Sequence, residues 1–393
     1  MLRVALAASK SKPGRAACPL RWRFATSIIN LVNMGRRRGG PTADGRTTSL
    51  ALGVIKYLTI FYLGIQVGLL YTTTTTANSY DSSIQASLIA MPALQRINDV
   101  SVSVVSSPQS LSKEACAVLT TKLTNHEDGG GITLLKGLTY SIYLYKSNDF
   151  VSDSILKTGQ WAAQQMADLR EALSNFASKM KLPPNDVVFL DIGANVGSYS
   201  LSMASYGYSV IAFEAFADNI ELIQASICEN NFEDLISLHG KGLGADPSMC
   251  IVYSHVLNVG DGHTKCGVEQ KTIVNDTFFH EGNEYRVRGH IESVRLDDAV
   301  LPRMRSKIGA VKMDVEGYET HVLHGGQEVL LKSSIPYIFT EFSPGMIRDK
   351  GGDPASFVKS FIDVGYVAQL SLNGPQLAVD DIENHEEIWF ILS

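Results

Sequence analysis

An α/β fold built on a mostly parallel, doubly wound sheet is what the sequence predicts for its carboxyl-terminal half, on three observations. Apolar runs near residues 187–191, 209–213, 235–239, 309–314, 336–342, 365–371 and 387–392 alternate with helical patterns, which puts helices on both faces of a parallel-rich sheet. The first run ends in the turn Gly193-Ala194-Asn195-Val196-Gly197, which opens a helix. Two later runs end in acids, Glu214 and the pair Asp314 and Glu316, at strand ends where open α/β sheets bind ligands.

Ahead of that core, residues 1–48 form a basic tail or targeting segment, Arg-rich and nearly free of acids as organelle transit peptides are. Met34 offers an alternative start to Met1. Leu50–Tyr71 is an apolar run of membrane-spanning length whose one charge is Lys56. Arg36, Arg37, Arg38 and Arg46 precede it and the next acid after it is Asp81, so the positive-inside rule predicts a single-pass type II anchor with a lumenal catalytic domain. A chloroplast or mitochondrial address is the alternative. Residues 72–112, rich in Ser and Thr, read as a stalk. Residues 113–182 read as a lead-in of one helix, short strands at Ile132–Leu135 and Tyr140–Tyr145, and one amphipathic helix from about Asp153 to Met180, closed by Pro183-Pro184. Residues 183–393 form the core domain, interrupted at Met249–Glu292 by a Gly- and His-rich insertion expected on the substrate side. Within it, Asn275-Asp276-Thr277 fits an N-glycosylation acceptor.

Residues 1–48 hold ten Lys and Arg against Asp44, a net +9 that leaves −15 for the remainder of a chain of net charge −6. An acidic catalytic portion lacks the basic face a phosphate backbone needs, so no nucleic-acid partner is expected. The five cysteines show no CxxC and no Cys/His zinc spacing. Cys250 and Cys266 either pair in an oxidising lumen or stand, like the others, as single buried thiols.

The glycine turn lacks the third glycine of GxGxxG, so no pyrophosphate is expected. S-adenosylmethionine fits the residues present. Glu214, about twenty residues past the turn, is placed to hold a ribose diol; Asp191 is placed to neutralise the cofactor's ammonium, and amides at Ala194–Gly197 are expected to receive its carboxylate. The cofactor set is therefore Asp191, Gly193, Ala194, Asn195, Gly197 and Glu214.

DIGANVG at 191–197, FEAF at 213–216, VRLDD at 294–298, KMDVEGYE at 312–319 and TEF at 340–342 together resemble the FkbM family of S-adenosylmethionine-dependent methyltransferases. The resemblance implies a Rossmann-like methyltransferase fold over 183–393 and O-methylation of a hydroxyl on a glycan or small molecule. N- or carboxyl-methylation, or a non-catalytic scaffold, are the alternatives that the cofactor residues leave open.

An alcohol is a weak nucleophile, so a base within reach is required. Asp314 is expected to be that base, with Glu316 as second candidate. Lys312, on the same strand face as Asp314, either holds Asp314 ionised, orients the acceptor, or reaches solvent. Asn258, Asp261 and His263 in the insertion, and Glu341 at a later strand end, are weaker acceptor-pocket candidates. His321 and His324 share a helix face as a further base or metal pair. Two acids in one crevice also offer oxygens to Mg²⁺, but nothing in the sequence supplies the further donors, so no metal is expected.

Overall fold

The computed structural model describes residues 112–123, 130–267, 276–280, 282–378, 381–382 and 385–392. The basic tail, the apolar run Leu50–Tyr71, the stalk as far as residue 111 and Asn275 lie outside the described residues. Among the described residues no helix is long and apolar enough to cross a membrane.

The lead-in comprises α1 (Lys113–Leu123), the antiparallel pair β1 (Ile132–Leu135) and β2 (Ile142–Tyr145), and two helices, α2 (Phe150–Thr158) and α3 (Ala163–Met180). The sequence pattern suggested a single helix over 153–180. Gly159 breaks it: at φ 78° it ends α2 in a left-handed cap whose N–H donates to the Ile155 carbonyl, a conformation that suits a residue without a Cβ. At the other end of α2 the Asp149 side chain accepts from the Ser152 amide and caps the helix.

The central sheet has the order β13-β14-β12-β11-β3-β4-β5, with β3 Val188–Ile192, β4 Ser209–Glu214, β5 Ile236–Gly240, β11 Ile308–Met313, β12 Tyr337–Glu341, β13 Tyr366–Gln369 and β14 Glu387–Leu392. Every pair is parallel except those made by β14. From β3 the chain moves outward through β4 and β5, then returns to place β11 on the other side of β3. The strand order thus reverses between β3 and β11, and the crevice above their carboxyl ends is where such a sheet binds ligands.

Both faces are covered, as the alternation predicts. On one, Val187 and Phe189 pack with Leu169, Leu173 and Phe176 of α3 and with α4 (Ser198–Ser205) and α5 (Ala217–Asn230). On the other, Val188, Leu190 and Ile192 pack with α8 (Glu319–Gly325), α9 (Gln327–Leu330) and α11 (Pro354–Ile362). Period two along β3 therefore decides which face each residue joins, and it puts Asp191 on the α4 side.

The insertion is a second sheet rather than a loop: β7 (Ser248–His255), β8 (Asn258–Cys266), β9 (Thr277–His280) and β10 (Asn283–Val294) pair antiparallel, with the short β6 (Gly242–Leu243) beside β10. Its glycines and histidines hide an alternation that buries Cys250, Val252 and Ser254, and its other face carries the ring cluster of Tyr253, Phe278 and Tyr285.

Two disulfides replace the single thiols of the bland sequence reading. Cys250 joins Cys266, its direct partner across β7 and β8. Cys116 joins Cys228 and ties α1 to α5 across 112 residues of chain, a closure whose loss costs about 2–4 kcal/mol. The double substitution Cys116→Ser, Cys228→Ser is expected to lower the unfolding free energy measured by urea titration by that amount. A change below about 0.5 kcal/mol would mean that the bridge adds nothing to the fold.

Candidate functional site

Three strand ends converge on the switch point and line an open cleft. Gly193 and Asn195 follow β3, Glu214 closes β4, and Asp314, Val315 and Glu316 follow β11. The insertion supplies the opposite wall through Gly260, Asp261, Gly262 and Thr264 of β8.

Close approach of backbone builds the floor. Gly193 has φ 80°, and a Cβ there would lie 1.8 Å from the Asp314 carbonyl oxygen, so only glycine lets the β3 turn press against the β11 turn. The Asp314 amide in turn donates to the Ile192 carbonyl at 3.0 Å.

Glu214 is buried, and its two oxygens accept from three backbone amides: Asn195 at 2.7 Å, Ala215 at 3.0 Å and Phe216 at 2.8 Å. These fix the carboxylate at the cleft wall one strand away from the glycine turn. Burial pushes its pKa up to about 7, although the amides and Lys312 pull it down. Asn195, itself left-handed at φ 53°, also donates to the Gly260 carbonyl and so links the turn to the insertion.

The amides of the turn are not free, contrary to the sequence expectation. Gly193 and Ala194 donate to the Phe213 carbonyl, Asn195 to Glu214, Val196 to the Asn195 side chain and Gly197 to the Ala194 carbonyl. Of the turn residues, Gly193 and Asn195 line the cleft, while Ala194 and Gly197 shape it from behind.

Asp191 also departs from expectation. It is fully buried beneath α4, where the Ser200 hydroxyl donates to it at 2.6 Å, and it does not line the cleft. The reason is the strand period noted above. Directly across the β3–β11 ladder stands Lys312, 3% exposed, so its reading as a solvent-reaching lysine fails. Its ammonium donates to the Gly193 carbonyl at 2.6 Å, lies 3.2 Å from Asp314 Oδ2 and 3.9 Å from Asp191 Oδ1, and sits 5.5 Å above the Tyr199 ring. Burial alone would lower its pKa, but Asp314 and Asp191 outweigh burial and raise it.

Glu316 has left-handed backbone at φ 53°. Burial pushes its carboxyl up, and the charges of Asp261 and Asp314 add to the effect. Burial would raise Asp261 too, but hydrogen bonding and charge from His263, with help from Glu316 and Asn258, hold it below its ordinary value. Glu319 secures this loop, accepting from the Val315 and Gly317 amides at 3.3 Å each. Gly317, at φ 91°, lets the loop touch the Met346 carbonyl.

Asn258 and His263 stand behind Asp261: Asn258 donates to Asp261 Oδ2 at 3.0 Å and His263 Nε2 lies 3.5 Å from it. Glu341 ends β12 and does not line the cleft; desolvation of its carboxyl and then the charge of Asp314 push its pKa up. His321 bonds the Lys350 carbonyl at 2.9 Å and His324 is exposed; neither lines the cleft. Sequence reasoning missed Lys241, Gly242 and Leu243, which line the cleft just after β5. The strand-end rule that found Glu214 applied equally there. It also missed Tyr318, whose hydroxyl accepts from the Cys266 amide at 3.2 Å and joins the β11 loop to the insertion.

A carboxylate held between a glycine turn and a neighbouring strand fits the ribose of the adenosyl group expected here. Glu214→Ala is expected to weaken S-adenosylhomocysteine binding ten- to a hundredfold by calorimetry. If Glu214, whose pKa burial pushes up to about 7, accepts from the ribose hydroxyls in its ionised form, wild-type affinity should rise as pH climbs through that value. In Glu214→Gln this rise should vanish, and a pH profile unchanged by the substitution would remove Glu214 from the ribose.

The model of the FkbM methyltransferase domain matches residues 191–387. No curated protein matches the chain. Among solved structures, the bifunctional kinase-methyltransferase WbdD is 10% identical over 70% of this chain and 46% of its own, with a TM-score of 0.37. This chain thus spans about half of WbdD. Precorrin-6y C5,15-methyltransferase from Geobacter metallireducens is 15% identical over 56% of this chain and 85% of its own, with a TM-score of 0.27. The N-terminal domain of human METTL16, in complex with SAH, is 12% identical over 58% and 70%, with a TM-score of 0.30. The family match spans half of the chain and every strand end that builds the cleft: the chain belongs to the FkbM methyltransferase family, with S-adenosylmethionine as its cofactor.

Proposed function

We propose that the protein is an O-methyltransferase that transfers the methyl group of S-adenosylmethionine to a hydroxyl of a glycan or small molecule, with Asp314 as general base. The observation that carries this reading is the position of Asp314, which lines the cleft at the β11 end, beside the glycine turn and 3.2 Å from the Lys312 ammonium. The bound cofactor supplies an electrophilic methyl group on a sulfonium.

Displacement at that carbon needs the acceptor oxygen in line and relieved of its proton as the new bond forms. Asp314 takes that proton. Lys312, shared between Asp191, Asp314 and the Gly193 carbonyl, holds the carboxylate at a fixed distance from the turn. Glu316, pushed up by burial and then by the charges of Asp261 and Asp314, holds its proton more tightly and is the less available base. The acidic wall around Asp261 and Asp314 disfavours a carboxylate acceptor, which favours a hydroxyl over the carboxyl-methyl alternative.

The type II anchor over Leu50–Tyr71, with this domain in a lumen, is part of the same proposal. Two disulfides support an oxidising compartment. The protein is expected to stay in the pellet on carbonate extraction, with its catalytic domain spared by protease in sealed vesicles. Release by carbonate would favour the chloroplast or mitochondrial address.

Asp314→Asn keeps the volume and loses the proton acceptor. Cofactor affinity should stay within a few-fold while turnover on cell glycans or extracts falls by about 10² to 10⁴. Near wild-type turnover would refute Asp314 as base, and a loss traced wholly to weaker cofactor binding would reassign it to the cofactor.

A further inference from the structure

The insertion wall of the cleft holds a constellation that neither ribose recognition nor proton transfer to Asp314 uses. We infer that Asp261, His263 and Glu316 form a site for one divalent cation of the Mn²⁺ or Mg²⁺ class. A carboxylate oxygen from each acid and an imidazole nitrogen all lie within 4.8 Å of one another. Donors around one ion at about 2.0–2.2 Å sit roughly 3–4 Å apart, so rotamer adjustments of less than about an ångström bring the three together.

The fold makes this convergence. Asp261 and His263, two apart on β8, project from one strand face, and Glu316 reaches them from the β11 loop through its left-handed backbone. Gly260 and Gly262 flank Asp261 where side chains would collide: a Cβ on Gly260 would lie 2.5 Å from Asp149 Oδ2, and one on Gly262 would lie 3.1 Å from Phe216 Cβ. Asn258 donates to Asp261 Oδ2 at 3.0 Å, the kind of outer contact that orients a ligating carboxylate. His263 stacks on Tyr253, with ring centroids 5.6 Å apart, which fixes its plane.

Charge supplies a separate reason. Four acids line the cleft, while Lys241, also on its wall, is paired with Glu292, and Lys312 serves Asp191 and Asp314. Lys350, on the neighbouring loop, bonds the Tyr253 hydroxyl and the Thr264 carbonyl, and its charge also acts on Glu316. Two hard oxygens and one imidazole, without thiolate, suit Mn²⁺ or Mg²⁺. Three protein donors leave the remaining positions open to the cleft. On the methyltransferase reading, on which this last step rests, those positions take acceptor oxygens, so the acceptor is a compound with two adjacent oxygens, such as a vicinal diol.

Purified full-length protein, stripped with EDTA, is titrated with Mn²⁺ near pH 7.5, and free ion is read by electron paramagnetic resonance. Wild type should take up one equivalent, displaced by excess Mg²⁺. Glu316→Gln and His263→Ala should each weaken uptake at least tenfold, while Asp298→Asn, on an exposed residue outside the cleft, leaves it unchanged. Thermal melts report folding, and Asp261→Asn replaces any variant that does not fold. No uptake by wild type, or equal uptake by wild type and the site variants, overturns the inference. The titration contains neither cofactor nor acceptor. Protein that binds S-adenosylhomocysteine but no Mn²⁺ therefore defeats the cation site and leaves the methyltransferase reading standing.

Discussion

The ammonium of Lys312 sits where β3 and β11 part, and its contacts tie together what the cleft needs held. It bonds the carbonyl of the residue whose lack of a Cβ lets the two turns touch, and it lies within ion-pair distance of an acid from each strand. A lone ammonium in such a place would cost several kcal/mol, and losing one partner of a buried pair costs about 3–5 kcal/mol. Lys312 is stable there only because Asp191 and Asp314 are both present, so the geometry of the turn and the position of the cleft acid are set by one charge. Asp191 therefore belongs to the support of the site, even though it lies in the most specific motif of the sequence.

A second set of bonds holds the insertion over the switch point. The Gly260 carbonyl accepts from Asn219 at 2.7 Å and from Asn195 at 3.3 Å, while the Gly260 amide donates to Asp149 at 3.0 Å. Asp149 also caps α2, so one carboxylate fixes both the lead-in and the cleft wall. These bonds are mostly buried and short. They make the wall that carries Asp261 part of the core rather than a lid, and a cleft with fixed donors needs little reorganisation when its ligands arrive.

Much of this was legible in the sequence where local pattern and tertiary structure agree. The seven core strands and the acids at strand ends follow from alternation and from the rule that ligands sit at carboxyl ends; the strand order β13-β14-β12-β11-β3-β4-β5 does not. The failures have physical causes. Asp191 was read as facing the ligand because strand ends were counted without their period of two. The turn amides were read as free because the Phe213 carbonyl on the next strand cannot be seen from the turn itself. The insertion read as loop because its buried face is made of Cys, Ser and Gly as much as of aliphatic residues. The Cys116–Cys228 bridge joins residues 112 apart, and pairing at that range is beyond any spacing rule. Asp261, His263 and Glu341 were found as weak candidates, but that Asp261 meets Glu316 depends on a left-handed residue no propensity predicts.

The two walls of the cleft differ in how they are built, and this bears on what each can recognise. The β3–β4 wall consists of glycine turn, buried Glu214 and backbone amides, nearly all main chain or fully enclosed, and admits little variation without loss of the fold. The β8–β11 wall consists of side chains from β8 of the inserted sheet and from the loop after β11, joined through the Tyr318 hydroxyl and braced by the Cys250–Cys266 bridge. Substitution there changes charge and shape while the parallel sheet stays intact. A fixed cofactor wall facing an interchangeable one lets a single fold keep its methyl donor and change its acceptor. In this chain the interchangeable wall is acidic and carries an imidazole. On the proposed reading, acceptor choice would rest on Asp261, His263 and Glu316 of this wall more than on the glycine-turn motif.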